Sequence, residues 1–350
     1  MHRKQIDIKQ TGFGLVEIMV GLAIGLLATL VIMQIFSSFE AQKRATTGSA
    51  DAQASGSIAL FTIERDMQMA GYGLLPITSS PLECDPSPTT AAGVDLSPVV
   101  ITDGGNAAGA SDTISIRYGT TTMAGTPSAI TANPVASPTG AYPQQIIATV
   151  DTNMGCQTGD IALIINGTTC VIRTVTALST APDYSGVKLN DGTGIMVGSN
   201  LACLGAWNQI SYRVNNGNLE VNGVPRMAGV VNLQAQYGIS ATTNSNQVTQ
   251  WVDATGGTWA SPTVTNRNRI KAIRVAVVAR NGQYEKDVVS AACSSTTDPA
   301  PTGICSWEGS TASPAPVINL NTDADWTKYR YRVFQTIIPL RNVIWARETL

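Results

Sequence analysis

The chain has 350 residues, only 13% of them charged, and a formal net charge of −2 at pH 7. This mildly acidic balance argues against direct binding of nucleic acid, which depends on lysine and arginine to neutralise phosphates. The only histidine is His2, so the rest of the chain lacks Ser-His-Asp and Cys-His catalysis and the commonest metal ligand. Carboxylate or lysine chemistry stays open, but no nucleophile motif is recognisable. We therefore expect no enzyme activity, no cofactor and no metal ion.

A basic leader and a long apolar helix open the chain. The leader has three basic residues against one acidic residue and ends at Gly12. The apolar segment starts at Phe13, carries a single carboxylate at Glu17, and has no charge from Ile18 to Phe39. About 22 helical residues extend ~33 Å, which is enough to cross a bilayer core of about 30 Å. The sequence therefore predicts a membrane-spanning helix.

Other N-terminal signals fit this segment less well. A secretory signal peptide has an apolar region of about 7–15 residues followed by its cleavage site, whereas here the apolar run is longer and the candidate cleavage site precedes it. A lipoprotein signal needs a cysteine, and no cysteine comes before Cys84. Because positively charged flanks stay cytoplasmic, we expect everything after the helix to face the periplasm.

The helix is predicted to continue beyond the membrane until residues 71–73 and Pro76 end it. Gly48 and Gly56 should weaken this part, and an apolar stripe at helical spacing should dock it onto the chain's own globular domain. The stripe consists of Leu60, Ile63, Met67, Ala70 and Leu74. The expected organisation is a leader (1–12), a transmembrane and assembly helix (13–39), a periplasmic helix half (40–75) and a globular β-rich head (76–350).

The head is predicted to be a loop-rich antiparallel β-sheet, so the fold class is α+β, with the long helix packed on a pilin-like head. Alternating apolar and polar residues indicate strands, and the residues between 214 and 219 indicate a hairpin. The longest strand should lie centrally in a sheet, and Pro339 should end the last strand or place it at an edge. Strands are predicted at 112–118, 145–150, 159–165, 170–178, 210–214, 219–221, 230–239, 269–280 and 329–340, with irregular loops at 79–111 and 119–144.

Six dispersed cysteines contain no C-x-x-C pair, which argues against zinc and redox motifs and, in the periplasm, indicates disulfides. They are Cys84, Cys156, Cys170, Cys203, Cys293 and Cys305. We expect Cys293 to pair with Cys305, because these two bracket a Pro- and Gly-rich loop. A second expected pair is Cys156 with Cys170, and free buried cysteines remain an alternative.

Two groups of polar residues could gather around calcium, since hard cations take oxygen ligands. Neither group has the ligand spacing of a defined loop, so we interpret both as turn residues. The groups are Asp151, Asn153 and Asp160, and Asp323 and Asp325. The tryptophans are interpreted as core or interface residues rather than as a sugar-binding platform. They are Trp207, Trp251, Trp259, Trp307, Trp326 and Trp345.

The junction between Gly12 and Phe13, with Glu17 four residues beyond it, resembles the class III signal of type IV prepilins. In that family a prepilin peptidase cuts after the glycine and methylates the new amine, and the glutamate pairs with the amine of a neighbouring subunit. The resemblance implies processing at Gly12 and Phe13 and an assembly role for Glu17. The alternative is an ordinary membrane anchor whose glutamate lies near the headgroups.

Three further segments, residues 64–71, 233–238 and 331–342, resemble PilW-type minor pilins of type IV pili. The resemblance implies a minor pilin that primes pilus assembly in the inner membrane and then sits at or near the fibre tip, on the cell surface. The implied partners are the prepilin peptidase, other minor pilins, the major pilin and a PilY-type tip adhesin. Residues 80–210 resemble no family that we can name, and we expect inserts there to determine partner specificity.

Three alternatives stay open. A J-type pseudopilin of type II secretion has the same anchor and a weaker form of the C-terminal segment. A pilus-associated adhesin would be favoured by exposed aromatic patches on residues 80–210. An anchored periplasmic enzyme would be favoured by an acidic cleft.

Overall fold

The computed structural model describes residues 12, 14–74, 97–123, 125–136, 146–167, 169–180 and 185–345. Most of the predicted leader, Phe13 and Cys84 therefore lie outside the described residues. The chain combines one long N-terminal helix with antiparallel sheets, which confirms the predicted α+β class. It forms two compact units, Met1–Ala50 and Asp51–Leu350.

Helix α1 spans Leu15–Met67, a length of 53 residues. Hydrogen-bonded turns follow it as far as Gly73, and Gly71 and Gly73 have φ angles of 75° and 90°. Glycine adopts this left-handed backbone without the steric cost that a Cβ brings. The Gly71 N–H donates to the Arg117 carbonyl at 2.9 Å, so the chain leaves the helix at a strand of the head. The helix therefore ends in the region that the sequence predicted.

Fifteen strands follow α1 in the described residues. They are β1 (Val99–Thr102), β2 (Thr113–Tyr118), β3 (Ser128–Ala136), β4 (Ile146–Val150), β5 (Ile161–Asn166), β6 (Thr169–Leu178), β7 (Gly186–Leu189), β8 (Asn200–Cys203), β9 (Asn208–Asn215), β10 (Asn218–Val221), β11 (Val224–Ala228), β12 (Val230–Ser240), β13 (Val248–Val252), β14 (Ile270–Arg280) and β15 (Tyr331–Pro339). Three short helices are α2 (Gly256–Trp259), α3 (Val264–Arg267) and α4 (Arg341–Trp345).

Two antiparallel sheets build the part of the head around α1. One has the order β1-β2-β9-β10-β11 and the other the order β13-β12-β14-β15. The β9–β10 hairpin turns at Asn216 and Gly217, whose φ angles of 49° and 70° fit the two-residue turn that the sequence predicted. β14 lies between β12 and β15, as its long apolar run predicted, and β15 ends at Pro339 on the sheet edge.

Beyond residue 50, one face of α1 is buried against these sheets, while the opposite face is exposed. Ile63 and Met67 share one apolar cluster with Ile114 of β2 and Val275 of β14, and all four are fully buried. Ala70 belongs to the same cluster and Leu60 packs against it, so the predicted docking stripe is confirmed at these positions. The last residue of the stripe, Leu74, packs instead in a separate cluster with strands β5, β6 and β8.

Six strands close into an antiparallel barrel in the order β3-β4-β7-β6-β5-β8. Its interior is filled by aliphatic side chains such as Ile130, Val150 and Ile164. The barrel interrupts the five-stranded sheet between β2 and β9, which pair directly at Tyr118 and Asn208. A closed barrel has no unpaired strand edge. It is therefore a self-contained insertion that leaves and re-enters the sheet at one point.

Parts of the two predicted loops are strands. β3 lies within residues 119–144 and β1 within residues 79–111. β3 has three Ala but only one Ile and one Val, so it shows no clear apolar face in the sequence. Its ladder is completed by β4 and β8, which come later in the chain. The short strands β7, β8, β11 and β13 were not predicted either, since four or five residues carry little periodicity.

Candidate functional site

The apolar part of α1 carries the first candidate site. The segment Leu15–Glu40 is long and apolar enough to cross a membrane, and its large apolar side chains are exposed from Leu15 to Phe39. A helix that is apolar on every side needs lipid or other helices around it. The segment is thus compatible with a membrane anchor.

Glu17 lies in the first turn of this helix. The Gly14 carbonyl accepts hydrogen bonds from the backbone N–H groups of Glu17 at 3.0 Å and of Ile18 at 3.2 Å, which starts the helix just before the carboxylate. A negative charge is favoured at a helix N-terminus by the unpaired N–H groups there. Glu17 is exposed, so its carboxylate is accessible to a group from another chain. Processing at Gly12 and Phe13, and pairing by Glu17, stay predictions.

Gly21 and Gly25 are one turn apart in the same segment. A Cβ added at either position would have no atom within 4 Å. Small residues at this spacing allow two helices to approach closely in a membrane. Because these two residues have no side chains, a second helix can pack closely against this face of α1.

A buried tyrosine joins the end of α1 to the head by a hydrogen bond. The Tyr212 hydroxyl on β9 donates to Asp66 Oδ2 at 2.6 Å, and Arg65 pairs with Asp66 at 3.0 Å. Burial, and then the hydrogen bond to Asp66, raise the pKa of Tyr212, which keeps the hydroxyl protonated as the donor. This contact fixes the helix against the five-stranded sheet.

Two of the segments that resemble minor pilins meet in space. The Asn342 amide, from residues 331–342, donates to the Gln68 carbonyl at 3.2 Å and the Ala70 carbonyl at 3.1 Å, in residues 64–71. These carbonyls lie just past the end of α1, where backbone acceptors lack intrahelical partners. One side chain of α4 therefore caps the end of α1 and ties the C-terminal segment to it.

The third such segment, residues 233–238 in β12, joins the two sheets. The Tyr237 hydroxyl accepts the Ile101 N–H at 2.7 Å, and Asp112 Oδ2 accepts the Ala235 N–H at 2.7 Å. Burial raises the pKa of Asp112 to about 7, although its two backbone N–H donors favour the charged form. All three segments thus surround one core.

A disulfide closes the loop that covers the outer side of the four-stranded sheet. Cys293 is bonded to Cys305, as the sequence led us to expect, and a parallel bridge between Ala292 and Ile304 lies beside the bond. Ile304 packs on Val278 of β14. The disulfide therefore holds a covering loop, here called the cap loop (residues 290–320), on the sheet.

The expected pairing of Cys156 with Cys170 is wrong. Cys156, between β4 and β5, is bonded to Cys203 at the end of β8. The barrel explains this pairing, because β5 and β8 are neighbours and Ala162 lies opposite Cys203. Cys170 on β6 is disulfide-bonded as well, and no described cysteine is free.

The polar residues considered for calcium serve local structure. Asp160 accepts the Gln157 N–H at 2.7 Å, and the Asn153 amide donates to the Ser179 carbonyl at 2.9 Å. Such contacts are typical of turns. Among the described residues, no group of three or more His, Cys, Asp or Glu side chains could hold a metal ion.

A cleft of about 430 Å³ opens between the β9–β10 hairpin and the end of the cap loop, and Tyr331 lines it. Its charged residues, Arg280 and Asp323, pair with each other at 3.2 Å. Nearby, Lys328 pairs with Asp325 at 3.0 Å. This cleft is therefore not the kind of acidic cleft that would favour the hypothesis of an anchored enzyme.

An arginine on β14 lies over two tryptophan rings, an arrangement that the sequence did not reveal. The guanidinium carbon of Arg274 lies 5.6 Å from the ring centroid of Trp251 and 4.5 Å from that of Trp307. The sequence assigned no role to Arg274. The tryptophans are 23 residues before it and 33 after it, so no local spacing links the three.

A comparison with known families adds an independent finding. The family model described as Type IV Pilus-assembly protein W matches residues 203–342, which supports a type IV pilus-related protein. The match contains the four-stranded sheet and β9–β11, and it leaves out α1 and the barrel strands β3–β7. No curated protein and no solved structure matches the chain.

Proposed function

We propose that this type IV pilus-related protein is a minor pilin that primes pilus assembly and sits at or near the fibre tip. One observation carries the proposal: a head matched over residues 203–342 by a pilus-assembly family follows an exposed apolar helix with a single carboxylate. An enzyme does not need this combination, whereas a subunit that leaves a membrane and packs into a fibre does.

Processing is the first step of the proposed mechanism. The prepilin peptidase cuts between Gly12 and Phe13, which removes the basic leader whose charges hold the chain in the inner membrane. The cut leaves an amine on Phe13, which is then methylated and keeps its positive charge. The pilin-like head lies in the periplasm until assembly and on the pilus afterwards.

Packing is the second step. Glu17 pairs with the N-terminal amine of a neighbouring subunit, because an unpaired carboxylate among apolar groups is costly and an ammonium offsets part of that cost. Gly21 and Gly25 allow the neighbouring helix to approach. The pair sets the axial register of adjacent helices, so the protein joins other minor pilins and the major pilin beneath a PilY-type adhesin.

The direct test is to delete the gene and, in the same strain, count surface pili and assay type II secretion. We expect sparse or absent pili with normal secretion, and restoration by the wild-type gene. Normal pili with failed secretion would instead assign the protein to the J-type pseudopilins. No change in either would leave an adhesin that is not needed for assembly.

A further inference from the structure

The outer face of the four-stranded sheet carries a second candidate site, apart from the apolar segment of α1. Along β14, alternate side chains point to opposite faces: Val275 and Val277 enter the core with α1, whereas Ala276 and Val278 pack under the cap loop. Arg274 is on the same face as Ala276, at the border of the covered area. It is partly exposed, so solvent or a partner can reach it.

Two tryptophans hold this arginine in place. The ring of Trp251 lies across Gly238, where a Cβ would come within 2.7 Å of the ring. Trp307 belongs to the cap loop, is 3% exposed, and its ring packs against Ala276 of the sheet. Trp251 rests on Gly238 and Trp307 is buried, and both rings attract the guanidinium through their electron-rich faces. The side chain is therefore ordered before any partner arrives.

The guanidinium has no acceptor among the described residues, where it makes neither a hydrogen bond nor an ion pair. Burial lowers the pKa of Arg274, and the negative charge of Glu308 raises it by a smaller amount. The two side chains do not form an ion pair. Contact with aromatic rings leaves the N–H groups of a guanidinium, which lie in its plane, without an oxygen acceptor. A partly buried cation without an acceptor is unfavourable, and a carboxylate held in that plane would satisfy it.

An exposed apolar side chain lies next to the arginine. Ile337 on β15 is the cross-strand partner of Arg274, so both are on the same face, and Ile337 is 53% exposed. β15 is also the last strand of its sheet. Tryptophan and arginine are the residues most enriched at the energetic centres of protein interfaces.

We propose that Arg274, which lies over the rings of Trp251 and Trp307 and is flanked by Ile337, is the docking site for another protein that presents an acidic side chain beside an apolar one. A sugar acid fits less well, because the buried ring of Trp307 offers no open face for a pyranose. The inference rests on the proposed function only in expecting this partner among the subunits of a pilus.

The test uses the full-length protein in cells, with a photo-crosslinking amino acid in place of Ile337. We expect a crosslink to a different protein, at a peptide that contains Asp or Glu. Arg274→Glu should reduce the yield of this crosslink by about tenfold or more, because a like charge replaces the attraction at the interface. Arg226→Glu, the same charge reversal at an exposed arginine of β11, should leave the yield unchanged.

Further variants keep the result independent of folding. Arg274→Lys retains the charge but loses the planar fork, and we expect an intermediate yield. Each variant must accumulate to the wild-type level with the Cys293–Cys305 disulfide formed. Changing the acidic residue of the crosslinked peptide to lysine should restore the crosslink to Arg274→Glu.

The proposal is overturned by a crosslink that survives Arg274→Glu in a folded protein, by a linked peptide without an acidic residue, by a crosslink to a second copy of this chain, or by no crosslink. None of these results depends on pilus counts. If pili survive deletion of the gene but the crosslink still depends on Arg274, the docking site is supported and the priming role is refuted.

Discussion

At the scale of single residues, Glu17 is the position at which the proposed assembly helix would differ from a simple membrane anchor. It is the only carboxylate in a segment without other charges, and it lies exposed in the first helical turn. An anchor gains nothing from a charge at this position, whereas a helix that must find one register against its neighbour does. The sequence located this residue without help from the fold, because its signal is local.

We predict that Glu17→Ala leaves peptidase cleavage intact but reduces surface pili several-fold, since the neighbour's amine loses its partner. Glu17→Gln should behave in the same way, because it keeps the size of the side chain and removes its charge. Immunoblots that resolve the leader and counts of pili measure the two effects. Thr29→Ala, which removes only a local hydrogen bond to Leu26, is the control. Normal assembly of Glu17→Ala would refute the pairing.

Asp112 is a second residue whose behaviour can be tested. Its carboxylate is buried and accepts backbone N–H groups of Gly104 at 2.9 Å and Ala235 at 2.7 Å. Burial nevertheless raises its pKa from the ordinary 3.8 to about 7. The folded state therefore binds a proton that the unfolded chain releases near pH 4, so the contribution of Asp112 to stability falls as the pH rises from about 4 to 7.

We predict that the melting temperature of the full-length protein in detergent decreases between pH 5 and pH 8 more steeply than that of Asp112→Asn, which cannot titrate. The difference corresponds to a few kcal/mol, since one pKa unit equals about 1.4 kcal/mol. Asp191→Asn should keep the wild-type slope, because the backbone N–H of Thr193 lowers the pKa of Asp191 and it titrates below this range. Parallel slopes for wild type and Asp112→Asn would show that Asp112 is already ionised at pH 5.

At the scale of elements, Gly56 shows how tertiary contact changes the meaning of a residue. In the sequence it is a helix-weakening glycine. In the structure it lies against Phe334 of β15, and a Cβ at this position would overlap the ring. The glycine therefore allows the helix to approach the edge strand, and its cost in helix propensity is offset by this packing.

We predict that Gly56→Ala destabilises the protein by about 1–3 kcal/mol, because the overlap outweighs the gain in helix propensity. Thermal unfolding of the full-length protein in detergent measures the change. Ser57→Ala, at an exposed neighbouring position, should be neutral or stabilising. In the background Phe334→Ala, the same Gly56→Ala change should lose most of its cost, and an unchanged cost there would mean that the ring is not responsible.

Strand prediction succeeded where the pattern is local and failed where partners are distant. The Asn216-Gly217 turn and the long apolar run of β14 both carry their structure in a few adjacent residues. β3 does not, since its segment has few large apolar residues and becomes a strand only between β4 and β8. The six-stranded barrel was missed for this reason.

At the scale of the whole molecule, the barrel is the main addition to the core that the family model matches. It lies outside that match apart from Cys203 and is inserted where Tyr118 and Asn208 are paired. In the sequence, this region already resembled no family that we can name, and we expect it to determine partner specificity. Its Cys156–Cys203 bond closes a loop with a sequence separation of 47 and stabilises the barrel independently of the sheets.

We predict that replacing residues 122–204 by a short Gly-Ser linker leaves the two-sheet core folded, because the ends of β2 and β9 are adjacent. Cys84→Ser should be included, since Cys84 would be the one cysteine left over. The variant should still form the Cys293–Cys305 disulfide, seen as a mobility shift on reduction, and resist limited proteolysis. A variant with an intact barrel but without the Cys156–Cys203 bond is the control. Complete degradation of the excised protein would show that the core needs the barrel.

The sequence by itself determined the features that depend on neighbouring residues: the long apolar helix, the position of Glu17, the helix end near Gly71, the β9–β10 hairpin and the α+β class. Only the tertiary structure decided the closed barrel, the Cys156–Cys203 pairing, the contact of Gly56 with Phe334 and the position of Arg274 over the rings of Trp251 and Trp307. The physical reason is that helix periodicity and turn conformation are properties of short segments, whereas strand pairing, disulfide partners and stacked side chains depend on which distant segments the fold brings within a few ångströms.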